Sequence, residues 1–258
     1  MATSPSARYL EHELTVYRRL WRSSIVSSFL APILFLAAIG GTVGKAIDRH
    51  GVGHFGGVSY LVWLAPGLMA ANAMQIAIQE CFHPVLGGFK WTRNFLAAAA
   101  TPLQPDPGQP APDDVVGLRA LLVSAVYLLV AALFGAVTSA WAVLAVPAAA
   151  LTGLAFGAPA TAWSATRQRD ESFSALQRFA VLPLFLFSGA FFPITQLPAV
   201  IRPVAYVLPL WHGVALCRAL ALGRAGFWAS VGHVVVLTAY FSAGTVAAVV
   251  AFRRRLRS

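Results

Sequence analysis

Between Arg119 and Arg167 the chain runs for 47 residues without one charged side chain. The hydrocarbon core of a bilayer, about 30 Å thick, takes roughly 20 helical residues, so such a run is too long for one crossing and suits two. A break is expected between Ser139 and Pro147. The same measurement applies elsewhere. Residues 23–44 form an uncharged run of 22, 55–79 a run of 25, 179–201 a run of 23 and 225–252 a run of 28. Hydrophobic residues make up 58% of the 258 positions and charged residues 11%, against about a quarter charged in an ordinary soluble domain. That balance excludes a soluble fold. It predicts an all-α integral membrane protein of six transmembrane helices, at about 23–44, 55–79, 118–138, 146–166, 174–192 and 225–252. Segment 1–22 precedes them and a basic tail, 253–258, follows. The first run is longer than a leader's apolar region and lacks a small-residue cleavage site, so it is expected to remain as a span.

The net charge of +10 comes from 19 Lys and Arg against 9 acids. Basic residues cluster at the ends of the apolar runs, where they act as topology charges rather than as a nucleic-acid face. An even number of spans places both termini on one side. The segments sharing that side (1–22, 80–119, 165–178 and the tail) hold 14 basic residues, against five elsewhere: Lys45, Arg49, Arg202, Arg218 and Arg224. The positive-inside bias therefore predicts cytoplasmic termini. Before the first span, Leu10, Leu14, Tyr17 and Trp21 recur at helical spacing. They predict an amphipathic helix on the cytoplasmic membrane surface rather than a plain extension of the span.

The longest cytoplasmic segment, Glu80 to Arg119, has 40 residues, too few for a catalytic domain. Pro102, Pro105, Pro107, Pro110 and Pro112 are expected to keep 102–114 out of helix. Residues 88–100 suit a short helix with Trp91 and Phe95 on one face.

Strings that suggest nucleotide chemistry fail on context. Gly51, Gly53 and Gly56 match GxGxxG, but follow a membrane helix instead of a strand. Residues 40–46 resemble a phosphate loop, yet Ile39 stands where the first glycine belongs and Ala46 replaces the Mg²⁺-binding hydroxyl. Asp48, His50 and His54 do not share a helical face, so no metal site is expected. His233 is the one ionisable side chain well inside a span, and such a residue is a candidate functional group. With no acidic partner in any span it suits an interhelical hydrogen bond better than a proton relay. Gly153 and Gly157 form a GxxxG pair for close helix packing, within the subunit or between subunits. Cys81 and Cys217 form no spacing motif.

The most informative stretch is 187–220. It reads Phe187-Ser188-Gly189-Ala190-Phe191-Phe192-Pro193, then Leu197-Pro198, Pro209-Leu210-Trp211-His212 and Arg218-Ala219-Leu220. The uncharged piece 203–217, 15 residues, is too short to cross, and the prolines break helix just before it. Non-helical backbone at membrane depth is tolerated only where protein or a water-lined cavity covers it. A broken hairpin on the outer side, after the fifth span, is therefore predicted.

This string resembles the signature of type-2 ABC exporter permeases, in the branch containing nodulation lipo-oligosaccharide and daunorubicin-type drug exporters. The N-terminal surface helix, Thr101-Pro102-Leu103, and Asp114-Val115-Val116-Gly117 extend the resemblance over nearly the whole chain. One departure is a proline-rich insert at 104–113, which leaves the geometry of that loop open. The resemblance implies a permease of the bacterial cell membrane that pairs with a second copy, as a homodimer. It implies two copies of a separate ABC ATPase subunit carrying ATP and Mg, with no catalytic residue and no cofactor on this chain. Coupling to that ATPase is expected from Phe89, Lys90, Trp91, Arg93 and Phe95. The hairpin is expected from Ser188, Gly189, Phe191, Phe192, Pro193, Pro198 and Pro209, and a substrate path from Phe185, Phe187 and His233. The implied cargo is amphipathic, such as a drug (antibiotic efflux), a polyketide or a lipid-linked glycan. An intramembrane lipid-modifying enzyme is the alternative, but the spans offer only His233, Gln75 and scattered hydroxyls. A secondary transporter would need an ion-coupling carboxylate in a span, and all nine acids lie outside the runs or at their ends.

Overall fold

The computed structural model describes residues 30, 32–49, 55–90, 112–167 and 171–257. Their regular structure is helical, with no strand among the described residues. Four helices are long and apolar enough to cross a membrane: Tyr60–Gly87, Val116–Leu133, Ala140–Ala165 and Phe227–Arg255. A further apolar helix, Ser172–Phe187, is shorter. The N-terminal surface helix expected over 1–22, His50, His54, the proline-rich segment 102–111 and the coupling residues Trp91, Arg93 and Phe95 lie outside the described residues.

A helical run over 32–49 (α1) contains the π-turn Ile39–Val43 and closes with Gly44–Arg49. The phosphate-loop-like string is therefore helix and not a cradle. Asp48 at its end accepts the Tyr60 backbone N–H at 2.8 Å, which fixes α1 to the start of the next helix. A carboxylate at that position satisfies a donor that helix geometry leaves without a partner.

α2 spans Tyr60–Lys90, with Pro66 and Pro84 inside it, a residue type that membrane helices accommodate. The expected stop before Glu80 is not observed. The helix continues to Lys90 and includes Phe89, because Glu80 is paired with Arg119 of the following helix and its charge ends nothing. α3 spans Pro112–Leu133. It starts inside the stretch expected to be non-helical, since proline at the first helical position loses no intrahelical hydrogen bond. It also ends five residues before the expected 138. Gly135 there has φ +70°, with Gly135 N–H on Ala132 O at 2.9 Å and Ala136 N–H on Ala131 O at 2.8 Å. That pair of bonds is a Schellman stop.

A 3₁₀ turn, Ala140–Leu144, leads into α4, Ala145–Ala165, one residue from the expected span. The next helical run, 171–187 (α5), is α over Glu171–Leu176, π over Gln177–Val181 and α over Leu182–Phe187. After it come a 3₁₀ turn at Ile194–Gln196, α6 at Arg202–Val207, α7 at Pro209–Ala221 and α8 at Phe227–Arg257. The expected tail therefore begins as the last turns of α8. Arg255 Nη1 donates to Ala165 O at 2.7 Å and Arg167 O at 2.9 Å, so the end of α8 caps the end of α4.

α4 is the hub, in contact with α2, α3, α7 and α8. Small residues on it allow backbones to meet, the device by which helices associate in lipid without a hydrophobic drive. A Cβ on Gly153 would lie 3.0 Å from Ala73 O, and one on Gly157 3.2 Å from Val116 Cγ1 and 3.4 Å from Cys81 Sγ. The GxxxG pair thus packs within this chain, against α2 and α3. Gly244 of α8 approaches α4 closer still: a Cβ there would sit 2.4 Å from Pro159 Cδ. The core between these helices holds Leu64, Met69, Met74, Leu86, Leu210, Val214 and Leu237.

Candidate functional site

Two ends of the bundle can be told apart by contact. At one, the Gly56 end, Arg224 Nη2 donates to Gly56 O at 2.7 Å and Thr138 Oγ1 to Ala221 O at 3.1 Å. The starts of α2 and α8 and the end of α7 lie there. At the other, the Arg255 end, α4 and α8 finish together. α5 rises toward the Gly56 end and stops at Phe187, five residues before the expected 192.

The stop has a local cause. Ser188 Oγ donates to Phe185 O at 3.0 Å and accepts Ala190 N–H at 3.3 Å. Gly189 then takes φ +81°, a left-handed conformation that costs only glycine nothing. The chain turns here and not at Pro193, which instead precedes the short 3₁₀ turn. From there the chain runs back along the bundle. Tyr240 Oη, near the middle of α8, donates to Val207 O at 3.1 Å. Leu208 is extended, and Pro209 opens α7, which returns toward the Gly56 end.

One side chain fastens this excursion to the core. Arg218, partly buried on α7, donates through Nε to Trp63 O at 3.0 Å and through Nη2 to Gly189 O at 3.0 Å and Ala190 O at 3.4 Å. Its guanidinium carbon lies 3.7 Å from the centroid of the Trp63 ring. Gly67 leaves the space: a Cβ there would be 2.7 Å from Nη2. Beside it Tyr60 Oη donates to Phe191 O at 2.9 Å. The partners of Arg218 are carbonyls and a ring face, so a fixed positive charge is satisfied by dipoles and a π quadrupole.

Of the expected hairpin residues, Gly189 touches this anchor directly, and the others lie along the same excursion. Phe191 packs its ring edge-on to Phe35 and Phe185, with centroids 6.3 and 5.1 Å apart. Phe192 joins Trp211 against Ile194, Leu197 and Ala205. Pro198 O accepts the Ile201 N–H at 3.0 Å, and Pro209 is buried at the head of α7. The three expected path residues do not converge. Phe185 is half-buried in the core, Phe187 is exposed, and His233 sits on the α7–α8 contact.

His233 Nδ1 lies 2.9 Å from His212 Nδ1, while His212 Nε2 is 3.0 Å from Tyr206 O. A carbonyl only accepts, so His212 donates through Nε2 and its Nδ1 takes the proton of His233 Nδ1. Gln75 is likewise held, by Gln177 Nε2 at 3.0 Å. Among the described residues no group of three or more His, Cys, Asp or Glu could hold a metal.

Sequence reasoning missed Arg218, Tyr60, Trp63 and His212 as site residues. A signal existed for the first. Leu210, Val214, Cys217 and Ala221 mark the buried face of α7, and Arg218 falls beside Cys217 and four residues after Val214. A charge on an apolar helical face asks for a partner.

Gly189 is directly testable. A Cβ there would lie 2.9 Å from Ile194 Cγ1 at an unfavourable φ. Gly189→Leu is expected to lower transport strongly while membrane insertion stays normal, checked by transport assay alongside membrane fractionation.

The bundle, with four helices long and apolar enough to cross a membrane, defines a multi-span membrane protein. The chain belongs to the ABC-2 type transporter family, whose model matches residues 10–222. It is similar to nodulation protein J of Rhizobium leguminosarum bv. viciae, 30% identical over 256 residues that cover 94% of each chain. Nodulation protein J of R. leguminosarum bv. trifolii is 31% identical over 224 residues, covering 82% of this chain and 81% of the relative. That of Sinorhizobium fredii is 30% identical over 226 residues, covering 83% and 82%.

Proposed function

We propose that this chain is the permease subunit of an ABC exporter that moves an amphipathic molecule outward from the cytoplasm or inner leaflet. It does so with six spans, both termini cytoplasmic, as one of two copies served by two ATPase subunits that carry ATP and Mg. The observation that carries the reading is the hairpin 188–221 fixed by Arg218, in a chain that matches the ABC-2 family over most of its length. Sidedness is supported by charge, and the aromatics mark an interface without choosing its side. Arg253 and Arg254 are exposed at the Arg255 end, while Trp141, Phe227 and Trp228 are 63%, 73% and 82% exposed at the Gly56 end. Arginine toward the cytoplasm and aromatics in an interface follow the usual membrane pattern. Only 17% of the apolar window of α8 is buried, which leaves its outer face to lipid or to the second copy. Likeness to nodulation proteins favours a lipid-linked glycan as cargo, with hydrophobic drugs and polyketides as the other members of the class. The intramembrane-enzyme reading loses ground, because Gln75 and His233 are both engaged in hydrogen bonds.

Cysteine labelling tests the arrangement. With Cys81 and Cys217 replaced, cysteines at Ser6 and Ser258 should react with an impermeant reagent only in opened cells. Cysteines at Ser59 and Thr195 should react in intact cells. Labelling of either terminus from outside overturns it. Co-purification should recover a soluble chain with a complete GxxxxGKS/T loop, and its absence removes the exporter assignment.

A further inference from the structure

At the Arg255 end a groove of about 960 Å³ runs between α4 and α8. Ala243, Gly244, Ala247 and Ala251 line it along α8, Trp163 stands on the α4 side, and Arg254 and Arg255 lie at one end. The far end is Tyr240. Fourteen residues of helix separate Tyr240 from Arg254, a rise of about 21 Å. That exceeds the ~15 Å depth of hydrocarbon in one leaflet by roughly the distance from the acyl chains to a headgroup.

We infer that this groove binds an anionic phospholipid, with the phosphate at Arg254 and an acyl chain along the alanine face of α8. The inference rests on the chain being a membrane protein. It needs neither the export direction nor the assigned sidedness. Polarity along the groove selects the occupant. Its walls are apolar and small for most of their length, and its basic residues stand together at the mouth. A diacyl phospholipid with a net negative headgroup has the same order of parts. Among the described residues no acid lines the groove to neutralise an incoming phosphate. Arg254 is exposed, and Arg167 adds a third guanidinium nearby, 4.8 Å from the centroid of the Trp163 ring. Basic pockets between membrane helices are known to hold anionic headgroups. Arg255 already donates to the last carbonyls of α4, so a phosphate bound beside it would brace the α4–α8 junction.

The full-length permease, purified in detergent, is mixed with dioleoylphosphatidylglycerol or dioleoylphosphatidylcholine, and bound lipid is read by native mass spectrometry. The phosphatidylglycerol adduct should dominate. Arg254→Gln should lower its occupancy about fivefold, the change expected from one basic residue near an anionic headgroup, and leave the phosphatidylcholine signal unchanged. Ala247→Trp should block the groove and remove the adduct while Arg254 stays intact. Equal retention of both lipids by the unmodified chain overturns the inference, as does wild-type phosphatidylglycerol binding by both variants. If Ala247→Trp instead converts a dimer to a monomer, the groove is an interface between copies and the lipid assignment falls.

Discussion

Arg218→Ala is expected to free the hairpin from the helical core and to abolish transport. The guanidinium reaches Trp63 O, Gly189 O and Ala190 O and covers the Trp63 ring. Hydrogen bonds to a charged group contribute about 1.5–3 kcal/mol each, and carbonyls left without a donor add a further penalty. A loss of about 3 kcal/mol or more is expected, a large part of an ordinary domain's margin. Thermal unfolding in detergent reads the loss, and labelling of a cysteine at Ile194, buried in the anchored hairpin, should rise as the hairpin detaches. Arg218→Lys keeps the charge but not the planar fork that serves two carbonyl sites at once, so it should recover part of the stability. Arg218→Met separates the effects: it fills the space and leaves the same carbonyls unpaired, so it should behave like Ala. Wild-type unfolding and transport in Arg218→Ala would show that the anchor is dispensable.

The second large effect concerns energy supply. Trp91 and Phe95, with Phe89, Lys90 and Arg93 beside them, are proposed to dock the ATPase subunit. α2 delivers the chain to this position as a continuous helix through Lys90. Aromatic and Arg anchors dominate such contacts, and truncating one costs about 2 kcal/mol or more. The double variant Trp91→Ala, Phe95→Ala should therefore lose at least tenfold in ATPase recovery, the factor that corresponds to 1.4 kcal/mol. It should also lose substrate-stimulated hydrolysis while the permease still inserts. If these aromatics only anchor in the headgroup layer, recovery and stimulation stay at wild-type levels and the coupling assignment is lost.

Four of the six expected spans coincide with helices long and apolar enough to cross a membrane, because hydrophobic run length is a one-dimensional quantity. Ala145–Ala165 falls one residue from its expected place, and α8 starts two residues after it. Ends were less legible wherever a tertiary contact overrode the local cue. Glu80 does not stop α2 because Arg119 pairs with it, and Arg253 does not stop α8 because Arg255 has the carbonyls of α4 to serve. The prolines predict a break after the fifth apolar run, but the helix stops earlier, at a turn that depends on Gly189 and Ser188, whose roles follow from φ and one hydroxyl. Arg218 stood in the sequence as a topology charge. Its role depends on residues 155 and 29 positions away, Trp63 and Gly189, and no local pattern encodes that separation. The pairing of His212 with His233 was hidden for the same reason.

The contact between Gly244 and Pro159, together with the clasp of Arg255 on the end of α4, joins α4 and α8 at two heights. Two rods pinned at two points form a strut: they can tilt together, but neither can swing or slide past the other without breaking a pin. Packed helices that move do so by hinge or shear, and this pair has given up both. Bending is left to the elements with a loosened ladder, the π-turns of α1 and α5.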